Sequence, residues 1–201
     1  MFVLTFDQRR SRRTGDRVPA LLDALAVVPV RLAAERTVGD EAQVLADSAA
    51  SAVQAALIAL ELGEWSIGLG VGPVETPLPT SVREARGEAF RASRRALDRA
   101  NAGSEVPIAV RCGDDRRAET AADAEAVLRL VGWMILTRSA GQRRTVDALR
   151  SAPGATQGEL ARMLGVTQQT VSRSLRTSGW REESAAHALV ERLLAMIDLT
   201  S

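Results

Sequence analysis

Lysine and tyrosine are both absent from this chain of 201 residues, so every one of its 26 basic side chains is an arginine. Cys112 is the single cysteine, which excludes a disulfide framework and a cysteine-based zinc site. His187 is the single histidine, and its position on the last predicted helix favours a surface or packing role over a catalytic triad. Aromatic residues make up 3% of the chain, so alanine, valine and leucine must form its core.

The sequence also lacks an apolar run long enough to span a membrane. Its first residues, MFVLTFDQRR, place apolar side chains before arginines, which is the reverse of a signal peptide. We therefore expect a cytoplasmic protein with no membrane partner. The length suffices for one or two domains with a buried core.

Charge is distributed unevenly along the chain. Residues 1–138 carry 18 arginines against 19 acidic residues, a net of −1. Residues 139–181 carry seven arginines against two acidic residues, a net of +5, and residues 182–201 have a net of −3. The positive excess is therefore confined to one segment, as attraction to phosphates would require.

That basic segment contains TQGELARMLGVTQQTVSRSLRTSG, residues 156–179, with the pattern of two short helices joined by a tight turn. Thr156 and Glu159 form a capping box at the start of the first helix, and Gly165 suits a left-handed stop at its end. Thr167 then caps the second helix. The pattern is typical of a helix-turn-helix, whose second helix enters the major groove of DNA.

The outer face of the second helix carries side chains that can read base edges. Glutamine pairs bidentately with adenine and arginine with guanine, while arginine also binds phosphates. Two other interpretations are a helical hairpin with a solvated polar face and an adaptor whose helices contact protein. The absence of acidic residues from Leu160 to Arg181 favours double-stranded DNA as the partner. The predicted DNA-binding residues are Thr167, Gln168, Gln169, Ser172, Arg173 and Arg176.

The first 117 residues alternate between strand and helix patterns. We expect strands at 2–6, 30–37, 42–47, 65–74 and 106–111, and helices at 16–28, 48–62 and 81–101. This order predicts an α+β domain with a βαββαβ-like sheet, ferredoxin-like or palm-like, mostly antiparallel and with helices on one face. In WSIGLGVGPV, glycines alternate with apolar residues, which predicts a bare face where a neighbour packs closely.

The rest of the chain is predicted to be helical. Residues 118–140 form a linking helix between the sheet domain, 1–117, and a helix-turn-helix domain, 141–201. The last predicted helix covers 182–199. It either packs against the helix-turn-helix or forms the interface of a homodimer, since many such proteins bind paired half-sites.

Four segments in this order resemble the SatD-type family. They are LTFDQRRSRRTGDRVP, ERTVGDEAQVL, WSIGLGVGPVETPLPTSVREARGEAF and the helix-turn-helix. The resemblance covers nearly the whole chain. Members of that family are described as regulators or as proteins of unknown function, so the resemblance implies a nucleic-acid-binding regulator more than an established enzyme.

The order of an aspartate after the first strand, a Gly-Asp-Glu hairpin and a glycine-rich strand is similar to the palm domain of nucleotide cyclases. In those enzymes two carboxylates hold divalent metals that bridge a triphosphate. The resemblance implies metal ligands at Asp7 and Asp40, with Glu41 as a further candidate, and Mg²⁺ or a nucleotide as the bound group. The loop after Asp7 departs from the short apolar turn of the cyclases. It carries the arginines that would hold phosphate groups, Arg9, Arg10, Arg12 and Arg13.

We therefore expect a sequence-specific DNA-binding transcriptional regulator that forms a homodimer, rather than an enzyme. Its N-terminal domain would sense a small-molecule effector or mediate self-association, and the linking helix would transmit the change to the DNA-binding part. The alternative is a metal-dependent nucleotidyl cyclase or nucleotidyltransferase that uses Asp7 and Asp40 and carries a DNA-binding appendage.

Overall fold

The computed structural model describes residues 1–103 and 105–198. Its strands are Phe2–Gln8 (β1), Leu32–Arg36 (β2), Glu41–Ala46 (β3), Trp65–Val71 (β4) and Ile108–Cys112 (β5). Its helices are Ser11–Thr14 (α1), Val18–Leu25 (α2), Ala49–Leu62 (α3), Glu88–Asn101 (α4), Ala118–Thr137 (α5), Ala140–Ser151 (α6), Gln157–Leu164 (α7), Gln168–Thr177 (α8) and Trp180–Asp198 (α9). A 3-10 turn at Asp115–Arg117 precedes α5. Within these residues, no helix combines the length and apolarity needed to cross a membrane.

The five strands form one sheet in the order β2-β3-β1-β4-β5. The central strand β1 is antiparallel to β3 on one side and to β4 on the other, whereas β5 is parallel to β4. The predicted α+β class and the βαββαβ-like order are confirmed, and the predicted last strand is β5 at the edge of the sheet.

Helices cover both faces of the sheet, so the prediction of helices on one face is wrong. The side chains of Ile67 and Leu69 on β4 belong to the main core together with α3, α5 and α9. Gly68 and Gly70, which alternate with them, face the backbone of α4 on the other side. The bare face predicted from the sequence is therefore occupied by a closely packed helix, because glycine leaves room for backbone to approach.

The ends of α3 follow the sequence pattern, but the start of α4 does not. Ser48 Oγ accepts a hydrogen bond from Ser51 N at 3.1 Å, and Gly63 ends α3 in the left-handed region. α4 begins at Glu88, several residues after the predicted start. Gly87 has φ of 140°, a value outside the helical range that glycine adopts readily. It also forms a β-bridge with Val74, so the helix can begin only after it.

The last helix returns to the sheet domain. Val190, Leu194 and Ile197 of α9 belong to the same buried core as the sheet, and α9 packs along α5 and α3. α9 also contacts α8, as predicted for packing against the helix-turn-helix, but most of its contacts are with the sheet domain. Its role in a homodimer stays a prediction. Leu199, the predicted end of this helix, lies outside the described residues. The division of the chain at 117 and 140 stays a prediction.

Candidate nucleic-acid interface

The first helix of the hairpin begins at a capping box. Thr156 Oγ1 accepts from Glu159 N at 3.2 Å, and Glu159 Oε2 accepts from Thr156 N at 2.8 Å. These hydrogen bonds satisfy two backbone donors that the helix leaves without partners. The hydrogen bonds that the Glu159 carboxylate accepts from Thr156 N and Thr156 Oγ1 also lower the pKa of Glu159. The predicted cap is confirmed.

The turn between the two helices is formed by a left-handed glycine. Gly165 has φ of 64°, and Val166 N donates to Ala161 O at 3.0 Å. Thr167 Oγ1 then accepts from Thr170 N at 3.2 Å and caps α8. Val166 is 40% exposed, so it packs less at the corner than its apolar character suggests.

A small separate core holds the hairpin together with the preceding helix. Leu160, Ala161 and Val171 are buried in it, and Ala148 and Leu149 of α6 pack against them. The three helices α6, α7 and α8 therefore form one unit, the helix-turn-helix unit. The sequence pattern of 156–179 does not include α6, yet its side chains complete this core.

The side chains proposed to contact DNA lie on the surface that this core leaves outside. Gln168, Gln169, Arg173 and Arg176 are exposed, and Ser172 is partly buried. Among the described residues, none of these five side chains has a hydrogen-bond or ion-pair partner. Their donors and acceptors are therefore available to a ligand. The hydroxyl of Thr167, by contrast, is already used as the cap of α8.

This three-helix arrangement agrees with the comparison with known families. Residues 136–177 match the model of the MarR family. The matched segment spans the end of α5 and the whole helix-turn-helix unit. It supports a DNA-binding transcriptional regulator whose helix-turn-helix lies in the C-terminal part of the chain.

The MarR match does not include the sheet domain. No curated protein and no solved structure matches the chain. The SatD-type resemblance of the N-terminal segments therefore stays a prediction, as does the resemblance to a palm domain.

A cluster of charged side chains joins the helix-turn-helix unit to the sheet domain. Glu183 of α9 is fully buried and forms ion pairs with Arg138, which follows α5, and with Arg150 of α6, the latter at 2.7 Å. Arg150 also pairs with Glu61 of α3. We call Glu61, Arg138, Arg150 and Glu183 the junction cluster.

Further contacts hold the junction cluster in place. Arg138 Nε donates to Ser178 O at 2.9 Å, at the end of α8. The guanidinium of Arg150 lies 4.7 Å from the centre of the Trp180 ring, a cation–π distance. Within the helix-turn-helix unit, Gln142 Nε2 of α6 donates to Thr177 O of α8 at 2.9 Å. Polar contacts from α3, from α9 and from Arg138 thus hold this unit against the sheet domain.

The two carboxyl groups of the junction cluster have opposite pKa shifts. Burial alone would raise the pKa of Glu183, but His187, Arg138 and Arg150 outweigh it and hold the pKa below its ordinary value. Burial raises the pKa of Glu61, and Arg150 offsets only part of that effect. Glu183 is therefore the firmly ionised centre of the cluster, and Glu61 is its weaker partner.

Sequence reasoning found none of these four residues. The Arg138–Glu183, Arg150–Glu183 and Arg150–Glu61 pairs join residues 45, 33 and 89 positions apart. Spacing rules reveal ion pairs three or four residues apart on one helix, so they carry no signal for these contacts.

The carboxylates of the palm resemblance lie at one end of the sheet. Asp7 on β1 is directly opposite Glu41 on β3, and Asn101 Nδ2 donates to Asp7 Oδ2 at 3.0 Å. Both oxygens of Glu41 accept from Arg94 Nη1 at 2.7 Å. Burial raises the pKa of Asp7, Asn101 lowers it, and the charges of Asp40 and Glu41 raise it further.

This arrangement does not present Glu41 as a free metal ligand. Over residues 1–103 and 105–198, no group of three or more His, Cys, Asp or Glu side chains is placed to hold a metal ion. A metal site at Asp7 and Asp40 stays a prediction.

The arginine-rich loop after Asp7 is organised by a buried glutamine. Gln8 Nε2 donates to Thr14 Oγ1 and Gly15 O, and Gln8 Oε1 accepts from Arg17 N at 2.9 Å. The side chains proposed to hold phosphates have no ion pair within the described part of the chain; they are Arg9, Arg10, Arg12 and Arg13.

Replacing Asp7 by asparagine should stabilise the protein at pH 7. Because the pKa of Asp7 is raised by folding, its ionised form is less favourable in the folded state than in the unfolded chain. The carboxylate therefore lowers stability above the ordinary pKa of about 3.9. Asparagine removes the charge and keeps an oxygen that can accept from Asn101. Chemical denaturation should give a higher midpoint for Asp7→Asn at pH 7, with the difference closing at pH 3.

Asp23→Asn, at an exposed position of α2, is the matched control. It should leave the denaturation midpoint unchanged both at pH 7 and at pH 3. A lower midpoint for Asp7→Asn at pH 7 would show that the charged form is favoured in the folded protein.

Proposed function

We propose that the chain is a sequence-specific DNA-binding transcriptional regulator whose recognition helix is α8. The exposed and unpaired polar face of α8, held by a capped and separately packed helical unit, is the observation that carries this proposal. The first turn of α8 presents Gln168 and Gln169, and Arg173 and Arg176 follow on the same side of the helix. Glutamine and arginine are the side chains that read adenine and guanine edges.

The charge of the unit supports the same proposal. The net charge of residues 139–181 is +5, and Arg143, Arg144 and Arg162 are also exposed there. Positive side chains around a recognition helix bind phosphates and set its position on the duplex. The groups that read bases and those that bind the backbone thus lie on one unit.

We further propose that the sheet domain senses a small-molecule effector or mediates self-association, and that the regulator acts in the cytoplasm as a homodimer. The junction cluster supports the sensing role, because a change beside it would alter the orientation of the helix-turn-helix unit. Leu130 and Trp133 on α5 are 65% and 55% exposed, which supports a contact surface between two copies.

DNA binding should depend on Arg173 and Arg176. Each arginine that reads a guanine contributes about 1–3 kcal/mol, so Arg173→Ala and Arg176→Ala should each weaken binding by about 5-fold to 150-fold. Fluorescence anisotropy with labelled genomic fragments measures these affinities. The wild-type affinity should fall steeply as salt rises, because phosphate contacts release counterions.

The matched control is Arg192→Ala, at an exposed arginine of α9 outside the helix-turn-helix unit. It should bind DNA like the wild type. Binding that does not depend on salt, or an equal loss in all three variants, would count against α8 as the recognition helix.

A further inference from the structure

A cavity of about 380 Å³ lies beside the junction cluster, between α3, α6 and α9. The side chains of Val53, Leu57 and Ile58 on α3 form an apolar wall, in which the first two are buried. Arg150 of α6 and His187 of α9 contribute polar atoms. This volume and this mixed lining are those of sites for small organic molecules.

The cavity is richer in negative charge than in positive charge. Glu61 and Glu191 line it, and burial raises the pKa of Glu61 although Arg150 is bound to it. Among the described residues that line this cavity, Arg150 is the one arginine, and it is shared with a second carboxylate, that of Glu183. Glu191 has no ion-pair partner in the part of the chain that the structure describes. A further cation would therefore be stabilised at both Glu61 and Glu191.

We propose that this cavity binds an organic monocation with an apolar body, an aromatic or alkyl amine. The ammonium group donates hydrogen bonds to Glu61 and Glu191, and charge-assisted hydrogen bonds of this kind are the stronger ones. The apolar body lies against the wall formed by α3. An anion of the same size would instead meet two carboxylates in a partly desolvated site, where like charges repel strongly.

Binding of the cation also has a consequence for DNA, and this part rests on the proposed function. The ammonium group competes with Arg150 for the carboxylate of Glu61. Arg150 belongs to α6, so loss of the Glu61 pair releases one of the contacts that hold the helix-turn-helix unit on α3. Since Arg150 keeps its pair with Glu183, the unit stays attached but changes its preferred orientation, which shifts the affinity for DNA.

Two probes of matched size and opposite charge test the cavity directly. Isothermal titration calorimetry of the whole protein with 2-phenylethylammonium and with 3-phenylpropionate compares them without DNA. The cation should bind at least about tenfold more tightly than the anion, as loss of one charge-assisted contact alone would give. Equal affinities, or tighter binding of the anion, would overturn the proposal.

Variants locate the binding. Glu191→Gln should weaken binding of 2-phenylethylammonium by about tenfold, and Ile58→Trp should abolish it by filling the cavity. Glu182→Gln, which removes an exposed carboxylate from the same helix outside the cavity, should bind like the wild type. Circular dichroism verifies that Ile58→Trp is folded. If Ile58→Trp is not folded, the affinity of Glu191→Gln alone tests the binding site. Unchanged affinity in Glu191→Gln would overturn the assignment of this carboxylate.

Anisotropy measurements with saturating 2-phenylethylammonium test the regulatory part. DNA affinity should change at least fivefold in the wild type and not at all in Ile58→Trp, about 1 kcal/mol of coupling. If DNA binds but the cation does not change the DNA affinity, the regulatory part is wrong. The calorimetry alone then decides whether the cavity binds the cation. If no DNA fragment binds, the proposed function fails, while calorimetry still decides whether the cavity binds the cation.

Discussion

Replacing Glu183 by alanine should destabilise the protein by about 3–5 kcal/mol, because removing one partner of a buried ion pair leaves the other charge uncompensated. Glu183 is fully buried, and the side chain of Arg138 is 3% exposed. After the replacement, the guanidinium of Arg138 would keep its hydrogen bond to Ser178 O but would have no ion-pair partner among the described residues. Urea denaturation followed by circular dichroism measures the change in the free energy of unfolding.

Two further variants separate the charge effect from general disruption. Glu182→Ala changes the exposed neighbour on the same helix and should alter the free energy of unfolding by less than about 0.5 kcal/mol. Arg138→Met combined with Glu183→Leu removes both charges and should recover most of the loss. A Glu183→Ala protein within 1 kcal/mol of the wild type would show that the pair does not anchor the junction.

The pH dependence of the same variant follows from the lowered pKa of Glu183. A carboxyl group whose pKa is lowered by folding stabilises the protein above its ordinary pKa, and this contribution is lost as pH falls through the lowered value. The difference in the free energy of unfolding between the wild type and Glu183→Ala should therefore be constant around neutral pH. It should become smaller only at acidic pH.

Replacing Gly70 by alanine should destabilise the protein by about 3 kcal/mol, at the upper end of the range for overpacked cores. A Cβ at this position would overlap Ala89 O and the backbone of Ser93. Both belong to the backbone of α4, so no side-chain rotation can relieve the overlap and the whole helix must move. Such a shift would also disturb the buried hydrogen bond between Ser93 Oγ and Thr5 Oγ1, which is 2.9 Å long.

The matched control is the same chemical change at Gly158 on α7. A Cβ there meets nothing closer than Thr156 Oγ1 at 3.9 Å, and its backbone is helical. Gly158→Ala should therefore stabilise the protein by about 0.4–1 kcal/mol, because alanine reduces the entropy of the unfolded chain. Thermal and urea denaturation of both variants should give opposite signs. A neutral Gly70→Ala would mean that α4 moves away from β4 at little cost.

The features that the sequence predicted correctly are those determined by neighbours in the chain. The capping box of Thr156 with Glu159, the left-handed Gly165 and the cap at Thr167 each depend on residues within four positions. Their physical chemistry is the same in any fold. The resulting helix-turn-helix was therefore predictable, and so were the side chains on its outer face.

The position of α4 was not predictable in the same way. The alternation of glycines in β4 indicated a close neighbour, but not which helix fills the space. α3 connects β3 to β4 and α4 connects β4 to β5, and the strands of both pairs are parallel. The two helices nevertheless lie on opposite faces of the sheet. Neither strand direction nor hydrophobic alternation therefore predicts which face α4 covers.

The junction cluster was beyond sequence reasoning for another reason. Its members become partners only when α3, α6 and α9 have packed together. In a chain with 26 arginines, an individual arginine carries little information about its partner. Burial distinguishes Arg138 and Arg150 from the exposed arginines, and burial follows from the tertiary structure.

The return of α9 to the sheet makes the helix-turn-helix an insertion instead of an appendage. The chain leaves the main core at the end of α5, forms α6 to α8, and re-enters the same core with Val190, Leu194 and Ile197. A protein cut after Thr177 would lose these three core residues together with Glu183. The helix-turn-helix unit and the sheet domain therefore cannot be separated by a single cut, and an isolated sheet domain would require α5 and α9 to be rejoined by a short loop.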